Sequence, residues 1–307
     1  MLKKLETFEP RPGIAYLLIT CATFLWGLSI VIGRGVHQEI PPLGLSFWRW
    51  FVGAVFLLPF VCAELIRKAE IIRRHAKFII FMGIIQIGSS VMLMVGVNFT
   101  TAINASVINA VQPAVTAVAA WILTKDKITQ GQSAGIVAGF AGILVIVAKA
   151  DISLLLGLNV NIGDGFAVLA IIGWSIYAAL LHRLPKELGV TTTLFLILMA
   201  GSLSVLPFYV VETLTVRPVP ATINSVIVFL VMGLIISVLS IYIWNSGLRA
   251  VGPNRASIFL NLIPVFGAIL AISFIGEQLF LYHFIGGALV ALGITLVITQ
   301  SSRKTAP

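Results

Sequence analysis

Long apolar runs separated by short polar links occupy almost the whole chain. About ten of these runs hold roughly 20 mostly apolar residues each, the length that an α-helix needs to cross the hydrocarbon core of a bilayer. Backbone N–H and C=O groups cannot stay unpaired in hydrocarbon, so the runs predict helices. The predicted spans are residues 14–33, 43–62, 78–97, 102–123, 130–148, 164–182, 191–211, 223–247, 254–275 and 280–299.

The stretch Asn98–Val147 occurs a second time, in related form, from Arg249 onwards at an offset of about 151 positions. The first two spans match the sixth and seventh at an offset of about 148. Self-similarity of this length indicates a protein built from two copies of one unit. At the offset of 151 positions, the equivalent residues are Ala105 with Ala256, Ser106 with Ser257, Pro113 with Pro264, Asp126 with Glu277, Gly135 with Gly286 and Gly142 with Gly293.

Each predicted unit has five spans, residues 14–148 and 164–299, joined by a linker at 149–163. Because five is odd, the second unit must enter the membrane from the opposite side. The sequence therefore predicts an all-α membrane protein of two inverted-topology repeats, with an N-terminal arm at 1–13 and a tail at 300–307. This architecture is typical of secondary transporters, whose substrate site lies near the bilayer midplane between the repeats.

Composition and charge placement agree with this fold. The 307 residues are 59% hydrophobic and 10% charged, with a mean hydropathy of +1.07, which is more apolar surface than a soluble domain can bury. The net charge of +9 comes from basic residues that fall mostly on one side of the membrane in the ten-span order. Since loops rich in Lys and Arg stay in the cytoplasm, both termini are predicted to be cytoplasmic and the basic residues are not a nucleic-acid surface. The predicted cytoplasmic set is Lys3, Lys4, Arg11, Arg67, Lys68, Arg73, Arg74, Lys77, Lys125, Lys127, Arg183, Lys186, Arg249, Arg255, Arg303 and Lys304, against Arg34, Lys149 and Arg217 on the other side.

Several residues together resemble a known family. Trp26-Gly27 lies in the first span, Arg49 early in the second, and prolines lie within the fourth and ninth, each followed by an acidic residue. This pattern resembles the drug/metabolite transporter superfamily, and within it the ten-helix exporters of the EamA type, over roughly residues 14–298. One departure is Asp126, flanked by lysines, where the family more often has Glu. The resemblance implies export of small metabolites, with amino acids, including aromatic ones, as a common cargo.

Arg49 is the charge most deeply placed in a predicted span, roughly two turns from its start at 1.5 Å per residue. A charge at that depth is a functional candidate, because an arginine can bind a carboxylate with two parallel hydrogen bonds. In the alternative interpretation Arg49 extends to the outer headgroups or holds backbone carbonyls, between the interfacial residues Trp48 and Trp50.

Polar and aromatic side chains within the spans are the other candidates for a substrate cavity. Amides suit a neutral or zwitterionic cargo, and aromatic faces suit an apolar one. The alternative is that these polar groups only hydrogen-bond neighbouring helices to one another. The candidates besides Arg49 are Trp26, Gln86, Ser90, Asn109, Gln112, Trp174, Tyr177, Tyr242, Trp244, Asn245 and Asn261.

Two further features concern helix geometry. Pro113 and Pro264 each remove a backbone donor at corresponding positions of the repeats, so they are candidates either for a gating hinge or for static kinks. Gly131, Gly135 and Gly139 form one stripe on the fifth span, which favours close packing inside a monomer, with a dimer contact as the alternative. Cys21 and Cys62 fall in or beside spans and are interpreted as small buried side chains without a disulfide.

The acidic residues and histidines all fall in loops or near the ends of the predicted spans. Proton-coupled carriers commonly relay protons through membrane-buried carboxylates or histidines, so the sequence favours a facilitator without strict ion coupling. A proton-coupled efflux pump is the alternative, and a phosphate–sugar exchanger should bury more cations. No metal-ligand spacing or phosphate loop is present, so the sequence predicts no enzyme, cofactor or metal site, with a membrane transferase as the remaining enzymatic alternative. The predicted location is the bacterial inner membrane.

Overall fold

Apolar runs of this length form helices because the helix satisfies every backbone group within the run, and every regular element in the described part of the computed structural model is a helix. That part comprises residues 10–125, 129–149, 151, 161–251, 256 and 259–302. The helices are α1 Pro12–Gly35, α2 Pro42–Arg67, α3 Ala69–Phe99, α4 Ala102–Ala110, α5 Gln112–Thr124, α6 Gln130–Val147, α7 Ile162–Leu180, α8 Gly189–Thr215, α9 Ile223–Leu230, α10 Ser240–Val251, α11 Leu262–Ile275 and α12 Leu281–Ser302. A π-helical segment, Val231–Leu239, joins α9 to α10, and a 3₁₀ turn, Phe259–Asn261, precedes α11.

Six helices of the described residues are long and apolar enough to cross a membrane, and the bent pair α4–α5 makes a seventh if it counts as one span. Three further apolar stretches of the described part are shorter: Ser133–Val147 within α6, Phe259–Ile275 across the 3₁₀ turn and α11, and Leu281–Leu296 within α12. The prediction of a multi-pass all-α membrane protein is confirmed at this level.

The boundaries differ most between the second and third predicted spans. The sequence predicted a polar link over residues 63–77, but α2 continues to Arg67 and α3 already begins at Ala69, with Lys68 alone between them. The segment contains no glycine or proline, and its charged residues are good helix formers, so nothing in it ends a helix. Polarity alone was therefore the wrong guide to where these helices end.

The fourth predicted span is broken rather than continuous. α4 and α5 meet at Val111 with a bend of 44°. Pro113 lies in the first turn of α5, where a missing N–H costs no helical hydrogen bond, and Pro264 lies in the first turn of α11. Both prolines therefore follow an interruption of the helix.

Close helix packing depends on small residues. A Cβ added to Gly293 on α12 would lie 2.5 Å from the carbonyl oxygen of Gly135 and 2.7 Å from the nitrogen of Gly139, both on α6. Two members of the predicted glycine stripe thus face another helix of the same chain. Cys21 and Cys62 are free as expected, but both are exposed, which corrects the interpretation of buried side chains. They lie on helix faces that point away from the bundle.

Candidate functional site

A cavity of about 340 Å³ lies inside the bundle, between helices of the first and the second predicted unit. α1 to α5 contribute to its wall from one unit, and α7, the π-helical segment, α10 and the turn before α11 contribute from the other. Such a volume is at the lower end of those that hold a small metabolite. The lining residues are Trp26, Ser29, Ile30, Arg49, Trp50, Gln86, Ser90, Leu93, Asn109, Gln112, Trp174, Tyr177, Ile236, Ser237, Ile241, Trp244, Leu260 and Ile263.

The cavity brings together most of the candidates named from the sequence. Those that line it are Trp26, Arg49, Gln86, Ser90, Asn109, Gln112, Trp174, Tyr177 and Trp244. Three others do not line it. Tyr242 is buried elsewhere and donates a hydrogen bond of 2.7 Å to Thr191, while Asn245 and Asn261 lie outside the lining. Their helices are the right ones, but their side chains lie on other faces.

Arg49 is 6% exposed and contacts the cavity from α2. Its Nε donates to Ser237 Oγ and its Nη1 to Ser29 Oγ, both at 2.8 Å. Its guanidinium carbon lies 4.5 Å from the ring centre of Trp50. The guanidinium is therefore directed into the bundle and held there. The alternative interpretation, in which Arg49 extends to the headgroups, is wrong.

No acidic side chain balances this charge at the cavity. Arg49 is the only charged residue among the described residues that line it, and no carboxylate of the described chain lies within 4.0 Å of its nitrogens. A buried, unpaired charge is costly in a protein interior. The cavity thus has a positive potential with only neutral dipoles facing it.

Three polar atoms at the cavity have no hydrogen-bond partner among the described residues. They are Trp50 Nε1, a donor, and Gln86 Oε1 and Asn109 Oδ1, two acceptors. Buried polar groups without partners are rare in native proteins and call for a specific explanation.

Aromatic rings form another part of the wall. The rings of Trp26 and Trp244 lie 5.0 Å apart, and Trp26 Nε1 donates a 3.0 Å hydrogen bond to Ser240. This bond fixes the indole plane of Trp26 against the cavity. Trp174 and Tyr177 line the cavity from α7.

Ser29 and Ser237 were not named from the sequence, and Trp50 was interpreted only as an interfacial residue beside Arg49, whereas it is buried and lines the cavity. Each is an ordinary residue of an apolar span, and only the fold shows that the two serines converge on Arg49 from α1 and from the π-helical segment. Ser29 lies one helical turn from Trp26 along α1, and this spacing was the only signal present in the sequence.

The acidic residues of the described part lie in loops or near helix ends, but several are buried. Asp164 is fully buried near the start of α7, and Glu212 is 7% exposed near the end of α8. Glu277 accepts hydrogen bonds from the backbone nitrogens of Ala102 and Ile103, at 2.7 and 3.0 Å, and so caps α4. Its sequence partner Asp126 lies outside the described residues, as do Lys127 and Arg255.

Asp164 belongs to a buried hydrogen-bonded chain. Phe280 N–H donates to His283 Nδ1 at 2.9 Å, so the other ring nitrogen, Nε2, carries the proton and donates to Asn104 Oδ1 at 3.0 Å. Asn104 Nδ2 in turn donates to Asp164, at 3.3 and 3.4 Å to its two oxygens, and Thr100 donates to it at 2.5 Å. The chain connects α4, α7 and α12 and does not touch the cavity.

Comparisons with known proteins agree on one family. The model of the EamA-like transporter family matches residues 13–148 and again residues 161–299. The chain is 28% identical over 284 residues to the uncharacterized transporter YyaM of Bacillus subtilis, covering 91% of this chain and 92% of that protein. It is 22% identical to an uncharacterized transporter of Archaeoglobus fulgidus, covering 93% and 97%. A solved crystal structure with 16% identity superimposes with a TM-score of 0.61 over 95% of this chain and 99% of that one, which shows a shared fold.

Proposed function

The chain belongs to the EamA-like transporter family and is a multi-pass membrane transporter, and we propose that it exports small neutral or zwitterionic metabolites, amino acids above all, including aromatic ones. The observation that carries this proposal is the composition of the central cavity. The residues that line a space of about 340 Å³ include one buried arginine, two amides with unpartnered oxygens and several tryptophans. These groups complement a carboxylate, an ammonium and an apolar side chain.

We further propose that the chain crosses the membrane ten times as two inverted five-helix repeats, residues 14–148 and 164–299, with both termini in the cytoplasm. The two separate matches to the family model support this division. Helix packing supports it too. α3 of the first unit packs on α7 of the second, and their equivalents α10 and α1 pack on each other in the same way. The equivalent helices α2 and α8 pack on each other, as do α6 and α12.

Close backbone approaches recur at equivalent positions. A Cβ on Gly96 would lie 2.8 Å from the carbonyl oxygen of Gly163, and one on Gly247 would lie 2.9 Å from that of Ala15. Gly247 follows Gly96 by 151 positions and Gly163 follows Ala15 by 148, the two offsets of the repeat. The same contact therefore forms twice with the units exchanged, which is expected of a two-fold related pair.

Transport by alternating access follows from that architecture, since rocking one repeat against the other exposes the central cavity to each side in turn. We propose a facilitated mechanism without strict ion coupling, because no carboxylate or histidine of the described residues lines the cavity. Bacterial relatives support a location in the bacterial inner membrane.

Uptake into liposomes tests this function. Purified protein is reconstituted, and entry of labelled phenylalanine, threonine and methionine is followed without any ion gradient, against empty liposomes. Saturable equilibration of at least one of them supports an amino-acid facilitator. If none of the three enters, either without a gradient or when a pH or sodium gradient is then imposed, the cargo class is wrong.

A proton-coupled efflux pump is the second candidate, and the buried chain of Asp164, Asn104 and His283 favours it. Buried ionisable groups in transporters often carry protons. In the liposome assay this alternative requires that an imposed pH gradient drives accumulation above equilibrium and that Asp164→Asn abolishes the accumulation while leaving equilibration intact.

A further inference from the structure

We propose that the cavity contains a carboxylate-binding site at Arg49, which Ser29 and Ser237 position for its ligand. The proposal rests on the proposed transport function for the source of the ligand, but its chemistry stands on the contacts of Arg49 alone. It names one group that the cargo must possess.

The contacts of the guanidinium leave a defined part of it free. Of its five N–H donors, one on Nε is taken by Ser237 and one on Nη1 by Ser29. The other three, on Nη1 and Nη2, have no hydrogen-bond partner among the described residues. Nη1 and Nη2 together form the end of the fork, the edge that donates two parallel hydrogen bonds to the oxygens of a carboxylate.

The two serines fix the orientation of Arg49 without neutralising it. Ser237 donates its own hydroxyl proton to the carbonyl oxygen of Met232, five residues earlier, at 2.7 Å. Its lone pairs are therefore left to accept from Arg49 Nε. This five-residue spacing exists because the segment is π-helical, a geometry that often marks functional sites.

Trp50 completes the site in two ways. The guanidinium lies over its ring, which restricts the guanidinium plane. Its residue lines the same cavity, and its Nε1–H is buried without a partner in the described chain. A carboxylate held by the fork would bring an acceptor into this region, so that one ligand group would satisfy donors from neighbouring residues.

A structural role alone does not explain this arrangement. An arginine that only links helices is usually paired with a carboxylate or with backbone carbonyls, as Arg34 is with Glu277 and with the carbonyl oxygens of Val97 and Asn98. Arg49 has neutral hydroxyl partners instead, so its charge remains available to an anion that enters the cavity.

The test measures binding of three probes with one carbon skeleton to purified full-length protein, through the fluorescence of the cavity tryptophans. L-Leucine has both charged groups, isocaproate lacks the ammonium, and isoamylamine lacks the carboxylate. We expect leucine and isocaproate to bind about tenfold or more tightly than isoamylamine. Equal binding of isoamylamine and leucine by the unmodified protein would overturn the proposal.

Variants separate positioning from folding. Ser237→Ala should weaken leucine and isocaproate about tenfold and leave isoamylamine unchanged, whereas Ser237→Thr, which keeps the hydroxyl, should restore binding. Ser237→Asp should abolish isocaproate binding, because an internal carboxylate would occupy Arg49. Ser202→Ala is the matched control, since that buried serine bonds only to Leu198 of its own helix and lies outside the cavity.

Arg49→Gln should remove the preference for the carboxylate probes, and if this variant does not fold, the Ser237 series gives the answer. Failure of this proposal and of the transport function can be told apart. Isocaproate binding at Arg49 without uptake of any amino acid would leave the site and remove the cargo assignment. If the protein takes up amino acids but its Ser237→Ala variant discriminates the probes normally, the cargo assignment would stand and the proposed site would be wrong.

Discussion

The carboxylate of Glu212, near the end of α8, accepts a 2.8 Å hydrogen bond from the backbone nitrogen of Gly44, in the first turn of α2. A second bond of 3.1 Å comes from the nitrogen of Leu43, so one side chain caps the neighbouring helix. Glu64, the residue 148 positions earlier, accepts a 2.8 Å bond from Thr192, which follows Gly44 by the same offset. Each of the two equivalent helices thus holds the start of the other through a carboxylate.

Glu212→Gln should lower the thermal unfolding midpoint of the protein in detergent, because a charged acceptor of two backbone donors is replaced by a neutral one. Hydrogen bonds to charged groups contribute about 1.5–3 kcal/mol each, and the amide keeps part of that. Glu70→Gln is the control, because Glu70 is exposed on α3 and has no described partner. Equal midpoints for the two variants would contradict the capping role.

The paired glycine contacts predict paired sensitivity to alanine. Gly96→Ala and Gly247→Ala each place a methyl group within 3.0 Å of a backbone oxygen on the facing helix, so each should destabilise by about 1–3 kcal/mol. Gly88→Ala on the same helix as Gly96 meets no atom within 4 Å and should be neutral or slightly stabilising. A large effect at one of the paired sites and none at the other would argue against equivalent packing of the two units.

Asn104 is the central member of the chain from His283 to Asp164, and Asn104→Ala should destabilise the protein strongly. The change leaves a buried imidazole N–H without a partner, at about 1–3 kcal/mol, and removes one of the two residues that donate to the buried carboxylate of Asp164, the other being Thr100. Asn98→Ala is a suitable comparison, because its amide bonds only within its own helix, to Met94, at 2.7 Å. Similar unfolding midpoints for the two variants would show that the chain contributes little to stability.

The prolines after the helix interruptions are predicted hinges. If they are, Pro113→Ala combined with Pro264→Ala should slow transport severalfold while leaving probe binding to the cavity unchanged, because alanine lacks the ring that clashes with the preceding turn, so each interruption can close into a continuous, stiffer helix. Initial uptake rates alongside fluorescence binding measure both quantities. Unchanged turnover in the double variant would leave the prolines as static kinks.

The sequence was a good guide to the helical class of the fold, which depends on the length of its apolar runs. Apolar run length indicated membrane-capable helices, and most of the polar and aromatic candidates chosen within the apolar runs line one cavity. Tyr242 and Asn245 were misplaced because positions next to each other on a helix point to different sides, and in α10 the cavity side belongs to Ile241 and Trp244.

The part of the site that depends on contacts between distant segments was not predictable. Ser29 and Ser237 meet Arg49 across 20 and 188 positions of the chain, and a serine in an apolar span has no pattern that distinguishes it. The burial of Asp164 was missed for a similar reason. Its position near a helix start is visible in the sequence, but its partners come from α4 and the loop before it.

Counterflow tests most directly whether the protein is a carrier whose central cavity opens to each side of the membrane in turn. Liposomes containing the protein are loaded with unlabelled phenylalanine and diluted into a trace of labelled phenylalanine, with no ion gradient. If the protein is a carrier, label should transiently accumulate inside above its equilibrium level. Each outward movement of unlabelled phenylalanine leaves the cavity open to the outside, where it binds label for the inward step. Label that only equilibrates, at a rate independent of the internal phenylalanine, would contradict alternating access.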